Sequence, residues 1–283
     1  MPLPLAHPAA VLPLRRFCPK YLSFSALIIG SVVPDIAYAL NFHHSFPRLV
    51  ATVFGQGLSD FLAGQGIHSW EGLSHTLFGG VVFGLPLGLL LIVAFRFARG
   101  ALVATLPNPH RELLAPLCRS KQQPLVSYLG SLLIGVWLHL LWDSFAKDNW
   151  WLAKIWPAMQ LPVAEAGSSH LELYRAIWIV SSMGGTAALV LAYLSFLRKN
   201  GRSFWVFDRR EAPYYFLWLT AAALSGLIAT VLSLHFMGFG TSPGMLFHVF
   251  HAFYGVFVTV FGSFVLVIAL VSMARRSAAG SRL

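Results

Sequence analysis

Residues 125–145 read LVSYLGSLLIGVWLHLLWDSF, an apolar run with no charged residue before Asp143. A helix that crosses a bilayer needs about 20 mostly apolar residues, and this stretch supplies them. Four further runs qualify, at roughly 76–97, 173–197, 213–235 and 246–272. A sixth, 24–42, is interrupted by Pro34 and Asp35. Proline removes a backbone donor and aspartate is costly in lipid, so this segment faces protein or water. A kinked span and a re-entrant helix both fit it. The reading is an all-α polytopic transmembrane helix bundle of about six spans, a single integral membrane domain over 1–283, its first span kinked or re-entrant.

Composition agrees. Hydrophobic residues make up 57% of the chain and charged ones 11%, with a mean hydropathy of +0.69. Soluble domains carry about 25% charged residues, so a water-soluble monomer is excluded. The net charge of +10 does not imply a nucleic-acid partner, because the basic residues sit in short clusters between apolar runs and no RNA- or DNA-binding module is visible. All Lys and Arg except Arg48, Lys147, Lys154 and Arg175 fall in the N-terminal segment, the 98–124 and 198–212 loops, the C-terminal tail and their flanks. The positive-inside rule then places both termini in the cytoplasm. Segments 43–74, 146–172 and 236–245 fall on the outer side, where Trp70, Trp150, Trp151 and Trp156 gather as at a headgroup boundary. Segment 43–74 is long and glycine-rich, and reads as partly amphipathic at the interface. Cys18 and Cys118 lie in cytoplasmic segments without metal-type spacing. The N-terminal stretch imitates a signal peptide but lacks a small-residue cleavage site, so it is read as retained.

The histidines divide unevenly. All of the 11 except His7 and His110 fall at the outer side or one to two turns inside it. Most carboxylates follow: Asp35, Asp60, Glu71, Asp143, Asp148, Glu165 and Glu172. Neutral imidazole and carboxylate are the usual ligands of zinc and its neighbours. The sharpest unit is His139-Leu140-Leu141-Trp142-Asp143, whose i,i+4 spacing puts both polar side chains on one helical face. Both could contact one ion, or the Asp could orient the imidazole; the structural alternative is a pair that locks helix packing. Ser74-His75-Thr76 opens the second span at a similar depth. Asp35 is a ligand or general base, or else caps a broken turn. His248 and His251 share a helical face near His235 and form a second candidate locus, with an interfacial role the alternative, while His43-His44 sits in a loop. Gly79, Gly80, Gly84 and Gly88 imply close helix packing, within the bundle or between protomers of a homo-oligomer. The signatures GxxxxGK[ST], G-x-S-x-G, CxxC and HExxH are absent.

Met1–Leu14, Ser25–Ser31 with Pro34-Asp35 and Tyr38, Ser74-His75-Thr76-Leu77, Leu85–Leu89 and Leu138–Ser144 together resemble an uncharacterised family of bacterial multi-pass inner-membrane proteins, a domain of unknown function. The match runs over roughly residues 1–200. Its motif order, an early His, a Pro-Asp, further His and a His-x-x-x-Asp helix, is similar to that of membrane-bound metal-dependent hydrolases, and more distantly to zinc-dependent phospholipase C. That likeness implies His7, Asp35, His75, His139 and Asp143 as ligand candidates. His7 stands on the wrong side of the simple topology, so its participation requires the N-terminal segment to re-enter the membrane. The chain departs from the family pattern at Phe145-Ala146-Lys147-Asp148 and at Trp178–Ser182, where members often carry histidines. The 41–73 segment looks like an insertion that brings His43, His44 and His68.

Three functions follow as expectations. The first is a metal-dependent hydrolase at the outer membrane–water boundary, its divalent ion, zinc by preference, held by His139, Asp143, His75, Asp35 and His7. Asp35 or Asp143 would serve as base, and the substrate would be a lipid or phosphoester drawn from the bilayer. The second is a metal or proton transporter, which the one-sided clustering of polar groups disfavours. The third is a non-catalytic scaffold or partner subunit.

Overall fold

A computed structural model describes residues 6–18, 20–40, 46–119, 123–147, 152, 155–166, 169–204, 208–237, 256–257 and 259–274. It begins with a 3-10 helix, His7–Phe17, in which Pro8 and Pro13 cannot donate the bonds of an α-helix. Helices α1 (Phe24–Gly30) and α2 (Val33–Leu40) follow. The break between them has a local cause: Pro34 has no N–H to return to the Gly30 carbonyl, and its ring crowds that position. The first segment is thus kinked into two short buried helices. Ser31, Val33 and Asp35 around the break are buried, as irregular backbone at membrane depth requires.

Segment 43–74, as far as it is described, is helical: α3 (Phe46–Phe54), α4 (Gln56–Gly64) and α5 (Trp70–Ser74). Phe46 and Val50 of α3 pack on Leu62 and Leu73, with Trp70 edge-on to Phe46 at 4.8 Å, while Leu49, Val53 and Phe54 are exposed. That two-faced helix is the amphipathic character expected of the segment.

Helix α6 (Leu77–Ala104) is capped by Thr76, whose Oγ1 accepts from Gly79 N at 2.8 Å, and carries a widened π turn over Gly80–Gly84. It extends beyond the expected 76–97 and takes Arg99 into the helix. A short α7 (His110–Leu114) precedes α8 (Leu125–Ser144). A two-stranded hairpin, β1 (Pro162–Ala166) and β2 (Ser169–Glu172), is the only sheet among the described residues. Helices α9 (Leu173–Lys199), α10 (Ala212–Met237) and α11 (Thr259–Ala274) complete the chain.

Four of these helices, α6, α8, α9 and α10, are long and apolar enough to cross a membrane. Leu90, Phe97, Val126, Val180, Leu191, Phe216 and Leu227 on them are all exposed. Apolar side chains facing outward on apolar helices mark a membrane protein. Helix α11 is shorter, and much of the run expected over 246–272 lies outside the described residues.

The chain forms two compact units, Met1–Val93 with Gln122–Ala192, and Ala94–Lys121 with Tyr193–Leu283. In the first, α1 runs parallel to α8 in a constant register. Ser23 N donates to Ser131 Oγ at 2.8 Å, Gly135 faces the Leu27 carbonyl, and His139 Nδ1 donates to the Ser31 carbonyl at 2.8 Å. Each step is four residues on both helices, about one turn, and the next step sets Asp35 beside Asp143. The approach is close: a Cβ on Gly135 would stand 2.4 Å from the Leu27 carbonyl oxygen, and one on Gly30 2.3 Å from that of Leu132. Gly80, Gly84 and Gly88 of α6 likewise face Val136 and Leu132 of α8, so this glycine stripe serves packing within the bundle.

In the second unit, Glu211 clasps the turn before α7. It accepts from Arg111 Nη2 at 2.7 Å, Asn108 Nδ2 at 3.1 Å and Asn108 N at 3.0 Å. His110 Nδ1 lies 2.5 Å from Tyr193 Oη, and burial pushes the His110 imidazole below its ordinary pKa.

Candidate metal centre

All five residues expected as ligands meet at one place in the first unit. The α1–α8 register delivers Asp35, His139 and Asp143, and α5 delivers His75, which ends that helix immediately before α6. The N-terminal 3-10 helix delivers His7. Ser127 Oγ donates to the Tyr21 carbonyl at one end of α8, and His7 meets Asp143 at the other. The segment therefore runs back along α8, with the re-entrant course that His7 requires. This corrects the simple placement of His7 at the Leu125 end of α8, where a cytoplasmic N-terminal segment would leave it.

The geometry is that of a closed ring of donors. His75 Nε2 lies 3.5 Å from Asp143 Oδ2 and 3.8 Å from Asp35 Oδ1. His139 Nε2 lies 3.5 Å from Asp35 Oδ1 and 3.8 Å from Asp143 Oδ2. Ligands about 2.1 Å from a common ion stand about 3.4 Å apart in a tetrahedron, and the four imidazole–carboxylate edges exceed that by only a few tenths of an ångström. His7, Asp35, His139 and Asp143 are buried and His75 nearly so. Within this space His7 Nδ1, both oxygens of Asp35, His139 Nε2 and Asp143 Oδ2 make no hydrogen bond. Buried polar atoms are rarely left so, and buried carboxylates least of all. Buried His/Asp groups here could hold a metal ion.

The imidazoles are set for that task. His139 Nδ1 faces the Ser31 carbonyl and His75 Nδ1 the Glu71 carbonyl at 2.9 Å. A carbonyl only accepts, so each Nδ1 carries the proton and each Nε2 turns its lone pair inward. Ser74 Oγ braces this wall by donating toward the Pro34 carbonyl at 3.0 Å. His7 differs. Its Nε2 donates to Asp143 Oδ1 at 3.1 Å, its Nδ1 is 3.5 Å from Asp35 Oδ2, and its ring stacks on His139 with centroids 3.9 Å apart. It thus holds Asp143 Oδ1 and stands beside Asp35 Oδ2, the carboxylate oxygens that His75 and His139 do not face.

Lys147 is the participant that sequence reasoning missed. Its Nζ lies 3.6 Å from Asp143 Oδ2 and 3.7 Å from Glu71 Oε1. The four-residue step from His139 to Asp143, carried once more, was the available signal. Elsewhere, His68, His235 and Asp60 are exposed, and Glu172 pairs with Arg175 at 3.0 Å. His43, His44, Asp148, His248 and His251 lie outside the described residues, as does the second locus proposed on the last two. Glu165 and His170 are described only as a backbone pair on the hairpin.

A family model described as Domain of unknown function (DUF4184) matches residues 1–274. The chain belongs to that family. The DUF4184 match runs past residue 200, so the last two apolar helices, which on sequence resemblance alone match only generically, are part of the family as well. No curated protein and no solved structure matches the chain.

Burial first, and then the Lys147 ammonium, pushes the His75 imidazole down to about 4. In metal-free protein the unfolded chain takes up this proton near pH 6.5 and the folded chain only near 4. The His75 contribution to stability is therefore lost as pH falls through that window and is level below it. The loss is about 3 kcal/mol at full extent. Denaturant melts of chelator-treated protein between pH 7.5 and 3.5 are expected to show this loss, and His75→Gln to reduce the slope; equal slopes would refute the assignment.

Proposed function

We propose that this protein is a membrane-embedded metal-dependent hydrolase, acting on an ester or phosphoester presented at the membrane boundary. The observation that carries the reading is the ring of two imidazole nitrogens and two carboxylate oxygens with edges of 3.5–3.8 Å. Two carboxylates neutralise a dication, and an N2O2 set of this size suits zinc. Such an ion supplies Lewis acidity toward an ester or phosphoryl oxygen and acidifies water.

The protein's own groups supply the rest. Asp35 Oδ2 and Asp143 Oδ1 face His7 rather than the ligand ring, so either carboxylate can accept a proton while its other oxygen stays in the ring. In hydrolysis the water oxygen bonds to the acyl carbon or phosphorus, its proton passes to that carboxylate, the ester bond breaks, and the leaving oxygen takes a proton. His7, stacked and buried, keeps Asp143 Oδ1 oriented by its hydrogen bond and packs beside Asp35 Oδ2. Among the described residues the only clusters of potential metal ligands are those of this centre, which supports a site over a transport path. The positive-inside rule gives the basic 98–124 and 198–212 loops to the cytoplasm and the segment after α8 to the other side, so we assign the centre to the outer face of a bacterial inner membrane.

The test is turnover of p-nitrophenyl laurate and bis(p-nitrophenyl) phosphate in maltoside micelles. Activity is expected to disappear with chelator, return with zinc or manganese, and fall about a hundredfold or more in Asp35→Asn. Metal-replete protein inert toward both substrates would overturn the hydrolase assignment in favour of a scaffold.

A further inference from the structure

A cavity of about 1030 Å³ adjoins the centre, lined by His75, Lys147 and Glu71 among its polar groups and by Leu77, Trp137 and Leu141 among its apolar ones. Its size is at the upper end of the roughly 300–1,000 Å³ usual for small-molecule sites. His75 joins it to the metal centre. Lys147 Nζ, 3.6 Å from a ligand-ring oxygen and 3.7 Å from Glu71 Oε1, sets an ammonium held by two carboxylates beside any group bound there. Its apolar lining is open: Leu77 is 71% exposed, Leu141 46% and Trp137 43%. These three residues lie on α6 and α8, two of the helices that are apolar enough to cross a membrane. The mouth therefore faces the side on which acyl chains lie.

We infer that the substrate is a phosphorylated amphiphile that arrives laterally from the bilayer, its phosphate held between the metal centre and Lys147 and its chain lying on Leu77, Trp137 and Leu141. This rests on the metal-centre reading above and adds the substrate class and a specificity-determining residue. A phosphate matches the paired cations, since a Lys ammonium binds it as a point charge. The apolar wall has no use for a soluble phosphate but gains from each methylene it covers.

The experiment is calorimetric titration of zinc-loaded protein in dodecyl maltoside with dodecyl phosphate, and separately with inorganic phosphate, metal content being measured on the same samples. Dodecyl phosphate is expected to bind at least about tenfold more tightly than inorganic phosphate. Lys147→Gln is expected to weaken it about tenfold with metal content unchanged. Leu77→Trp, which narrows the mouth at an exposed position, is expected to weaken dodecyl phosphate and leave inorganic phosphate alone. Zinc-loaded protein that binds both probes equally, or Lys147→Gln that binds like the parent, would overturn this inference alone. Protein that takes up no zinc would overturn the metal reading and this one with it.

Discussion

Detergent-purified protein is expected to carry about one equivalent of a divalent metal per chain by mass spectrometry, and the His139→Ala/Asp143→Ala double variant essentially none. Either substitution removes one corner of the donor ring, and the pair leaves too few ligands to hold an ion. A second observable separates this from a structural His–Asp cluster. Asp35 and Asp143 are both buried, and a buried charge without its partner costs several kcal/mol. Stripping the metal from the parent should therefore lower its melting temperature, since a ligand held at about a thousand times its Kd contributes roughly 4 kcal/mol. The same chelator should leave an Asp35→Asn/Asp143→Asn variant unmoved. His7→Phe keeps the stack on His139 but loses both ring nitrogens, and should weaken metal binding about 10–100-fold, the range for residues that orient ligands. A parent that stays metal-free after reconstitution with zinc or manganese sinks the metal centre.

Gly135→Ala is expected to destabilise the first unit and strip its metal, although Gly135 touches no ligand. The new methyl would stand 2.4 Å from the Leu27 carbonyl oxygen and 2.9 Å from Ser31 N. Both obstacles are backbone, so no rotamer change relieves them and α1 must move. Overpacking costs about 1–3 kcal/mol even where side chains can yield. Here the displaced helix also carries the Ser31 carbonyl away from His139 and shifts Asp35. Gly130→Ala on the same helix is the control, since a Cβ there meets nothing within 4 Å; it should be neutral or stabilising by up to about 1 kcal/mol. Equal melting temperatures and metal contents in the two variants would refute the role given to the α1–α8 contact.

The five centre residues were legible in the sequence to different degrees, for physical reasons. His139 and Asp143 are a local pair, one turn apart on one helix, and spacing alone puts them together. Asp35 was legible as an ionisable residue placed where lipid would penalise it. His75 and His7 were reached through motif order, because a single histidine at a helix start or in an N-terminal segment has no local partner to give it away. Lys147 read as one of four basic residues on the less basic side of the membrane. Its i,i+4 spacing from Asp143 was the available signal, but α8 ends at Ser144, and nothing in the periodicity said to carry the step past the helix end. The hairpin of β1 and β2 was not expected at all, since its short strands lie between apolar runs that dominate any hydropathy reading.

By itself the sequence determined the solvent and the class of fold: too few charges to face water, and apolar runs long enough to cross a bilayer as helices, where each backbone group is satisfied within its own segment. It also placed an i,i+4 His–Asp pair near the end of one of those helices. Only the tertiary structure decided that the pair belongs to a centre of five. That depended on Pro34 breaking the first segment, on Gly30 and Gly135 letting α1 lie against α8, and on the N-terminal segment returning along α8 to bring His7 between two carboxylates. Contacts between residues more than a hundred positions apart depend on how closely backbones can approach, and no local pattern of hydropathy records that.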